Sequence, residues 1–379
     1  MNNNDLKKKK LQHKRIIISG GGTGGHVFPA IAIADALRFE LEDPSILFVG
    51  ACGKMEMEKV PQAGYEIIGL PVEGFRRKLS LHNLRVVVKL LLSLRKSAKV
   101  IREFKPDAVV GVGGYASGPV LKKAAGMGIP TLIQEQNSFA GVTNRLLARK
   151  ARKICVAYEG MEKYFPEEKI ILTGNPVRRE IRDMDQAGDL AAARKDFQVT
   201  SSSKVLLVLG GSLGARTINE AIKHGLDRML QHPDISLIWQ CGKSYYDEAR
   251  EFIAGRGEGR VILRDFISRM DLAYLVADVI IARAGAITIS ELSHAAKPAI
   301  LVPSPNVAED HQTKNAWHLV ERSAALSIPD IEARDTLLRQ ALQLMDNEEK
   351  KRELSKNIRN LALPDSAGVI AREILSMLK

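Results

Sequence analysis

Cysteine, aromatic residues and long apolar runs are all scarce in this chain. Its 379 residues hold three cysteines, Cys52, Cys155 and Cys241. They are far apart, odd in number and without a Cys-x-x-Cys pair, which argues against a disulfide framework and fits reduced core cysteines in a cytoplasmic protein. The longest apolar stretch, residues 86–94, is interrupted by Lys89 and falls far short of the roughly 20 residues a spanning helix needs. Membrane contact is therefore expected to be peripheral. The basic run Lys7, Lys8, Lys9, Lys10 and the pair Lys14-Arg15 are followed only by Ile16-Ile17-Ile18 before a string of glycines. That is too short for a signal-peptide core, so export is not expected. Acidic residues are the minority: 44 Asp and Glu against 56 Lys and Arg give a formal charge of +12. Such a balance calls for an anionic partner, a phosphorylated substrate or a membrane surface. Aromatics at 5% and the lack of a nucleic-acid motif put nucleic acid last, and none is expected.

What the chain does have is glycine gathered in turns. Ile16-Ile17-Ile18-Ser19 leads into Gly20-Gly21-Gly22-Thr23-Gly24-Gly25-His26, and a helical pattern follows. This predicts a buried parallel strand, a tight turn and a helix start. Glycines there let backbone N–H groups approach an anionic ligand at the helix N-terminus. His26 stands where the glycines end, a titratable imidazole facing whatever occupies the turn. The same order recurs at Lys204-Val205-Leu206-Leu207-Val208-Leu209, Gly210-Gly211-Ser212-Leu213-Gly214-Ala215 and a helix from Ile218.

Two such openings in a chain of this length predict an α/β protein of two Rossmann-like domains facing each other across a cleft. The expected division is a disordered basic tail over 1–14, a first domain over 15–180, a linker over 181–203 and a second domain over 204–364. The amphipathic helix over 365–379 is expected to pack back on the first domain. Further strands are predicted at 45–49, 66–70, 107–112, 130–133, 170–172, 236–240, 261–263, 279–281 and 299–302. Strand ends are where open α/β sheets bind ligands, which marks Gln134-Glu135-Gln136-Asn137 after one strand and Gly174-Asn175-Pro176-Val177-Arg178 after another. Arg283-Ala284-Gly285-Ala286-Ile287-Thr288-Ile289-Ser290-Glu291 is a third such loop, expected to place its carboxylate in the first turn of a helix. Glu291 there either complements the helix dipole or accepts hydrogen bonds from a ribose diol. Phe75 and Leu79, flanking Arg76, Arg77 and Lys78, read either as a membrane-surface patch or as core residues beside a solvated cationic face.

Taken together, residues 21–26, 111–119, 135–137, 174–178, 210–215 and 283–291 resemble the peptidoglycan N-acetylglucosaminyltransferases of glycosyltransferase family 28, in order and spacing from about residue 15 to the C-terminus. The resemblance implies a GT-B fold and inverting transfer of N-acetylglucosamine from UDP-N-acetylglucosamine to the muramic acid 4-hydroxyl of lipid I. The product is lipid II. It implies that Thr23, Gly24 and Gly25 approach the donor sugar and diphosphate, and that Asn137, Arg178 and Ser212 contact the donor. Ile267 would meet uracil through its backbone. Ala286, Ile287, Thr288, Ile289 and Ser290 would cradle diphosphate and ribose, with Glu291 on the ribose. Gln312 would hold sugar hydroxyls, a segment that matches less cleanly and where His311 is an alternative. Lipid I is an anionic diphosphate on a polyprenyl chain, so Phe75, Arg76, Arg77, Lys78 and Leu79 become the expected docking patch on the anionic cytoplasmic face of the cell membrane, with other cell-wall synthesis proteins as further partners.

The chemistry needs a base for the acceptor hydroxyl, stabilisation of an oxocarbenium-like centre and compensation of the departing diphosphate. His26 is the first candidate base and Glu135 the second. No cofactor and no metal are expected, since helix N-termini and Arg178 supply the compensation. Asp183-Met184-Asp185 imitates a metal-binding Asp-x-Asp but falls in the expected linker and reads as a solvated charge pair. Three rivals remain: a nicotinamide dehydrogenase, which leaves the second glycine turn and the Glu291 loop unexplained; a UDP-N-acetylglucosamine 2-epimerase of the same architecture; and a non-catalytic nucleotide-sugar-binding module, which leaves His26 and Glu135 without work.

Overall fold

The structure, a computed structural model, describes residues 13–74, 81–184, 189–211, 213–307 and 310–378. The chain divides into two compact units, Met1–Arg178 with Asp365–Lys379, and Arg179–Pro364.

In the first unit, β1 (Arg15–Ser19), α1 (Gly24–Glu40), β2 (Ser45–Ala51), α2 (Glu56–Gln62), β3 (Glu66–Leu70) and α3 (Leu81–Phe104) come first. They are followed by β4 (Ala108–Gly111), α4 (Ser117–Gly126), β5 (Thr131–Glu135), α5 (Val142–Ala148), β6 (Lys153–Val156) and β7 (Ile170–Leu172). The seven strands form one sheet in the order β3-β2-β1-β4-β5-β6-β7, with β1 parallel to both β2 and β4. Parallel neighbours require crossovers, and helices supply most of them.

The strands are apolar throughout because both faces are covered. Ile16 and Ile18 of β1 join Ile33, Ala34 and Leu37 of α1 in one layer, whereas Ile17 joins Ile101 of α3 and Leu121 of α4 in the other. Each fully buried isoleucine or leucine is worth about 1.5–3 kcal/mol of transfer free energy.

The second unit begins with two short helices, α6 (Arg179–Arg182) and α7 (Leu190–Asp196). Then come β8 (Lys204–Leu209), α8 (Arg216–Leu230), β9 (Ile235–Gln240), α9 (Tyr246–Ile253), β10 (Val261–Arg264), α10 (Met270–Val276) and β11 (Val279–Ala282). It continues with α11 (Ala286–Ala295), β12 (Ala299–Leu301), α12 (His311–Val320), β13 (Leu326–Ser327), α13 (Asp330–Asp346) and α14 (Glu348–Arg359). The sheet order is β10-β9-β8-β11-β12-β13, again parallel. Trp239 lies fully buried in its core and donates from Nε1 to Asn219 Oδ1 at 3.0 Å.

The closing helix α15 (Ser366–Ser376) belongs to the first unit. Ile370, Ala371, Ile374 and Leu375 enter the apolar layer of α1. Lys153 pairs with Glu373, and Arg372 bridges Glu40 at 3.2 Å and Asp365 at 2.9 Å.

Residues 181–203 differ from the linker expected of them. They carry half of α6 and all of α7 and bury Ile181, Met184, Ala193, Phe197 and Val199. The apolar residues are few and set among charges, so their stripe is too thin to register as a periodic pattern. Asp183 is held by Arg179 at 3.1 Å and Arg182 at 2.8 Å, and these guanidinium groups, Arg182 first, keep its carboxyl below the usual range. Asp185 lies outside the described residues, as does the expected tail through residue 12.

Candidate active site

Each sheet reverses its strand order once, between β1 and β4 in the first unit and between β8 and β11 in the second. At such a point the loops leaving the two strands run to opposite faces and leave an opening above the strand ends. The predicted glycine turns stand at these openings.

In the first unit the turns after β1 and β4 press against each other. A Cβ on Gly114, at φ +81°, would lie 2.3 Å from the Gly21 carbonyl oxygen, so only glycine fits. A Cβ on Gly113, at φ +93°, would lie 2.7 Å from His26 Cδ2 and 2.8 Å from its Nε2. The imidazole is thus lodged against the Gly113 backbone, and on its other edge Nδ1 is 3.3 Å from Thr23 Oγ1. Thr23 occupies the N-cap position of α1 without a side-chain cap bond, and Gly24 and Gly25 form the first turn. The N–H groups of a helix's first turn have no intrahelical acceptor, so this end suits an anion.

A carboxylate that the glycine pattern did not reveal organises the same turn. Glu56, 1% exposed, accepts from Gly22 N and Ala51 N, each at 2.8 Å. One amide of the glycine turn is therefore committed to the protein itself. Its signal in the sequence is weak, because a lone Glu at a helix start ordinarily complements the dipole.

The four polar residues after β5 have divided duties. Glu135 is buried and accepts from Asn144 Nδ2 at 2.9 Å, Gly141 N at 3.0 Å, Asn137 N at 3.1 Å and Asn137 Nδ2 at 3.3 Å. Burial pushes its pKa up, opposed by the hydrogen bonds from Asn144, Asn137 and Gly141. These bonds tie down residues 137–144 and set Asn137 at the end of the sheet. Gln134 and Gln136 build a buried amide network beneath it: Gln136 Nε2 donates to Val112 O at 2.6 Å, Gln134 Nε2 to Asn175 Oδ1 at 3.1 Å, and Asn175 Nδ2 to Gln136 O at 3.1 Å. The network joins the ends of β4, β5 and β7 and so fixes the turn that presents Arg178. Its guanidinium lies 5.0 Å from the centroid of the Phe28 ring on α1, one helical turn beyond Gly24, whose own Cβ position is 3.2 Å from Phe28. His26, Thr23, Gly24, Gly25 and Arg178 are accordingly gathered around the first turn of α1.

In the second unit Gln240 Nε2 donates to Gly211 O at 3.0 Å and anchors the turn after β8. The loop after β11 is braced by Arg283, which donates to Val302 O at 3.0 Å and Pro303 O at 3.3 Å and pairs with Asp330. Asp330 also accepts from Thr217 Oγ1 at 2.9 Å. Gly285 is the N-cap of α11, so Ala286, Ile287 and Thr288 supply its leading N–H groups. Ser290 Oγ donates to Ala286 O at 3.0 Å within the helix.

Glu291 stands in the second turn of α11, a correction to the first-turn position expected from sequence, because the helix starts at Ala286. It is 7% exposed, and its Oε2 accepts from the Tyr274 hydroxyl at 2.9 Å. A second-turn carboxylate pinned sideways is poorly placed to complement the dipole, whose effect fades within the first turn. Ile289 is buried, and Ile267, just past β10, is 4% exposed. Gln312 Oε1 accepts from Ser304 N at 2.8 Å, and Asn315 Nδ2 donates to Ala284 O at 3.3 Å, joining α12 to the loops of β11 and β12. Tyr274, Asp330 and Asn315, like Glu56 in its contact with Gly22, escaped sequence reasoning because they meet their partners across distant segments.

Ser212 and the patch Phe75, Arg76, Arg77, Lys78 and Leu79 lie outside the described residues. Beyond that patch, α3 exposes Val87, Val88, Leu91 and Leu92. Among the described residues no helix is long and apolar enough to cross a membrane, and no three His, Cys, Asp or Glu side chains cluster as metal ligands.

Residues 16–156 match the family model of the glycosyltransferase family 28 N-terminal domain, and residues 205–368 that of the C-terminal domain. A Bacteroides fragilis protein named UDP-N-acetylglucosamine–N-acetylmuramyl-(pentapeptide) pyrophosphoryl-undecaprenol N-acetylglucosamine transferase is 54% identical over 378 residues, spanning 100% of this chain and 99% of its own. The crystal structure of Acinetobacter baumannii MurG superposes with a TM-score of 0.73 at 28% identity, covering 97% of this chain and all of that one. The UDP-GlcNAc 2-epimerase of Neisseria meningitidis has a TM-score of 0.67 at 13% identity over 97% of this chain and all of its own, a likeness of fold alone. The matched residues take in both glycine turns and every strand but β7, at least in part: the chain belongs to glycosyltransferase family 28.

Proposed function

We propose that the protein transfers N-acetylglucosamine from UDP-N-acetylglucosamine to the muramic acid 4-hydroxyl of lipid I, producing lipid II with inversion at the anomeric carbon. The observation that carries this reading is the 54% identity, end to end, with a relative bearing that activity in its name. The fold by itself does not choose, since an epimerase of the same architecture superposes nearly as well. Sequence identity separates the two.

The geometry supports a division of labour. His26, lodged between Thr23 and Gly113, takes the proton of the acceptor hydroxyl as its oxygen attacks C1 of the donor sugar. The bond from C1 to the diphosphate oxygen breaks on the opposite side, which inverts the centre. Glu135 acts as a positioning residue, because four donors already occupy its carboxylate. Helix N-termini, with Arg178, offset the charge that develops on the departing diphosphate. Ile267, Glu291 and Gln312 hold uracil, ribose and sugar hydroxyls, and Asn137 and Ser212 complete the donor contacts. The acceptor's lipid is met at an anionic membrane surface, on the cytoplasmic face, by residues 75–79 together with the exposed apolar residues of α3.

The test follows labelled N-acetylglucosamine from its UDP donor to a lipid I analogue with EDTA present, comparing wild type with His26→Ala. Product despite chelation and a roughly 100- to 10,000-fold slower variant are expected, the usual contribution of a general base. Conversion of the free UDP-sugar to an isomer, with no product on the acceptor, would replace the transferase by the epimerase.

A further inference from the structure

We propose that Tyr274 is a positioning residue for the nucleotide: its hydroxyl holds the Glu291 carboxylate in the orientation that receives a ribose diol, and so sets the discrimination between ribose and a sugar lacking that diol. The inference rests on the ribose role of Glu291 and deepens it.

Tyr274 lies on α10 and is fully buried, whereas Glu291 lies on α11 and keeps 7% of its surface exposed. The two meet at 2.9 Å, with the phenol donating to Oε2. An ionised carboxylate only accepts hydrogen bonds, so the phenol proton has to point at it. If packing alone were required, the ring would suffice, and a phenylalanine would meet that need without burying a hydroxyl. The hydroxyl therefore does something for the carboxylate. Glu291 has three side-chain torsions to fix before both its oxygens can face a vicinal diol, and a side chain that must be ordered on binding weakens the complex. Tyr274 fixes them beforehand. Gly285 at the N-cap starts α11 at the switch point of the sheet, so the oriented carboxylate stands one turn behind the amides proposed for the diphosphate, and ribose adjoins the diphosphate in the donor.

Removing the hydroxyl while keeping the ring should thus cost affinity only for ligands that carry the diol. The experiment titrates UDP and 2′,3′-dideoxy-UDP into wild type, Tyr274→Phe, Glu291→Gln and the double variant by calorimetry, with donor kinetics beside it. Wild type should prefer UDP. Tyr274→Phe should lose about tenfold in UDP affinity, the scale of one hydrogen bond to a charged group, and leave dideoxy-UDP nearly unchanged. The KM for UDP-N-acetylglucosamine should rise in step while kcat at saturation holds, and the double variant should bind UDP no more weakly than Glu291→Gln. Thermal denaturation of each variant verifies that it is folded. Equal weakening toward both ligands, a fall in kcat without a rise in KM, or unaltered discrimination would each overturn the inference. A wild type that binds both ligands equally would remove the ribose role of Glu291 itself and the inference with it, a failure visible before any variant is made.

Discussion

Gly113→Ala offers a direct test of how His26 is held. Two separable costs arise. The first is conformational: alanine at φ +93° carries a penalty of about 1–2 kcal/mol. The second is steric: the new Cβ would stand 2.7 Å and 2.8 Å from two ring atoms of His26. Non-bonded carbons settle near about 3.5–4.0 Å, so the imidazole must retreat by roughly 1 Å, a displacement that costs about 100-fold when it falls on reacting groups. Gly128→Ala is the control, since Gly128 has φ +77° and nothing within 4 Å of its would-be Cβ. Both variants should lose stability, and at about 2–4 °C per kcal/mol for a unit of this size the melting temperature should fall by about 2–8 °C. Only Gly113→Ala should lose turnover, by about 100-fold in initial-rate assays on a soluble lipid I analogue at saturating donor. In the His26→Ala background the same change should add little. A Gly113→Ala enzyme within threefold of Gly128→Ala, or a double variant a further 100-fold below His26→Ala, would refute the reasoning.

Glu135→Gln should retain turnover within about tenfold, because it keeps one acceptor for residues 137–144, whereas a residue that takes the acceptor proton would lose at least about 100-fold. Burial raises the folded-state pKa of Glu135 above its ordinary value of 4.5, so its contribution to stability is greatest below that value and is lost as pH rises through the raised pKa. Urea titrations should therefore show wild type losing ground to Glu135→Gln as pH rises from the acid side; a pH-independent difference would be the contrary result. Arg283→Met strips the brace between Val302, Pro303 and the half-buried Asp330, and should cost about 2–4 kcal/mol with a raised donor KM. An unchanged urea midpoint would count against it. Reversing Arg76, Arg77 and Lys78 to Glu should lower binding to anionic vesicles at least about 100-fold, at about 1 kcal/mol per cation lost, while a water-soluble acceptor is turned over as before. Unaltered vesicle binding would remove that patch from the membrane contact.

Much of the architecture was written locally. The apolar runs at Ile16-Ile17-Ile18 and at residues 204–209, each closed by glycines and a helical pattern, marked both first strands of the two sheets and the turns beside their switch points. The same reading passed over β6, whose four residues open on Lys153 directly behind Lys150 and Arg152, and the two-residue β13, which is too short to show a period. The thin apolar stripes of α6 and α7 were lost among charges for the same reason.

The sequence by itself determined the α/β class, the two glycine-turn openings and the residue types gathered at strand ends, since these depend on neighbours along the chain. Tertiary structure alone decided what those residues do to one another. Glu135 became a clamp on its own loop, Glu56 took an amide of the glycine turn, His26 came to rest on Gly113, and Glu291 was turned toward Tyr274. Each of these contacts depends on which strand lies beside which and on how closely two backbones approach. Strand order and approach come from burying the same apolar faces, and side chains of equal hydrophobicity satisfy that requirement in many arrangements, so the pairing of polar groups is settled only when the sheet is assembled.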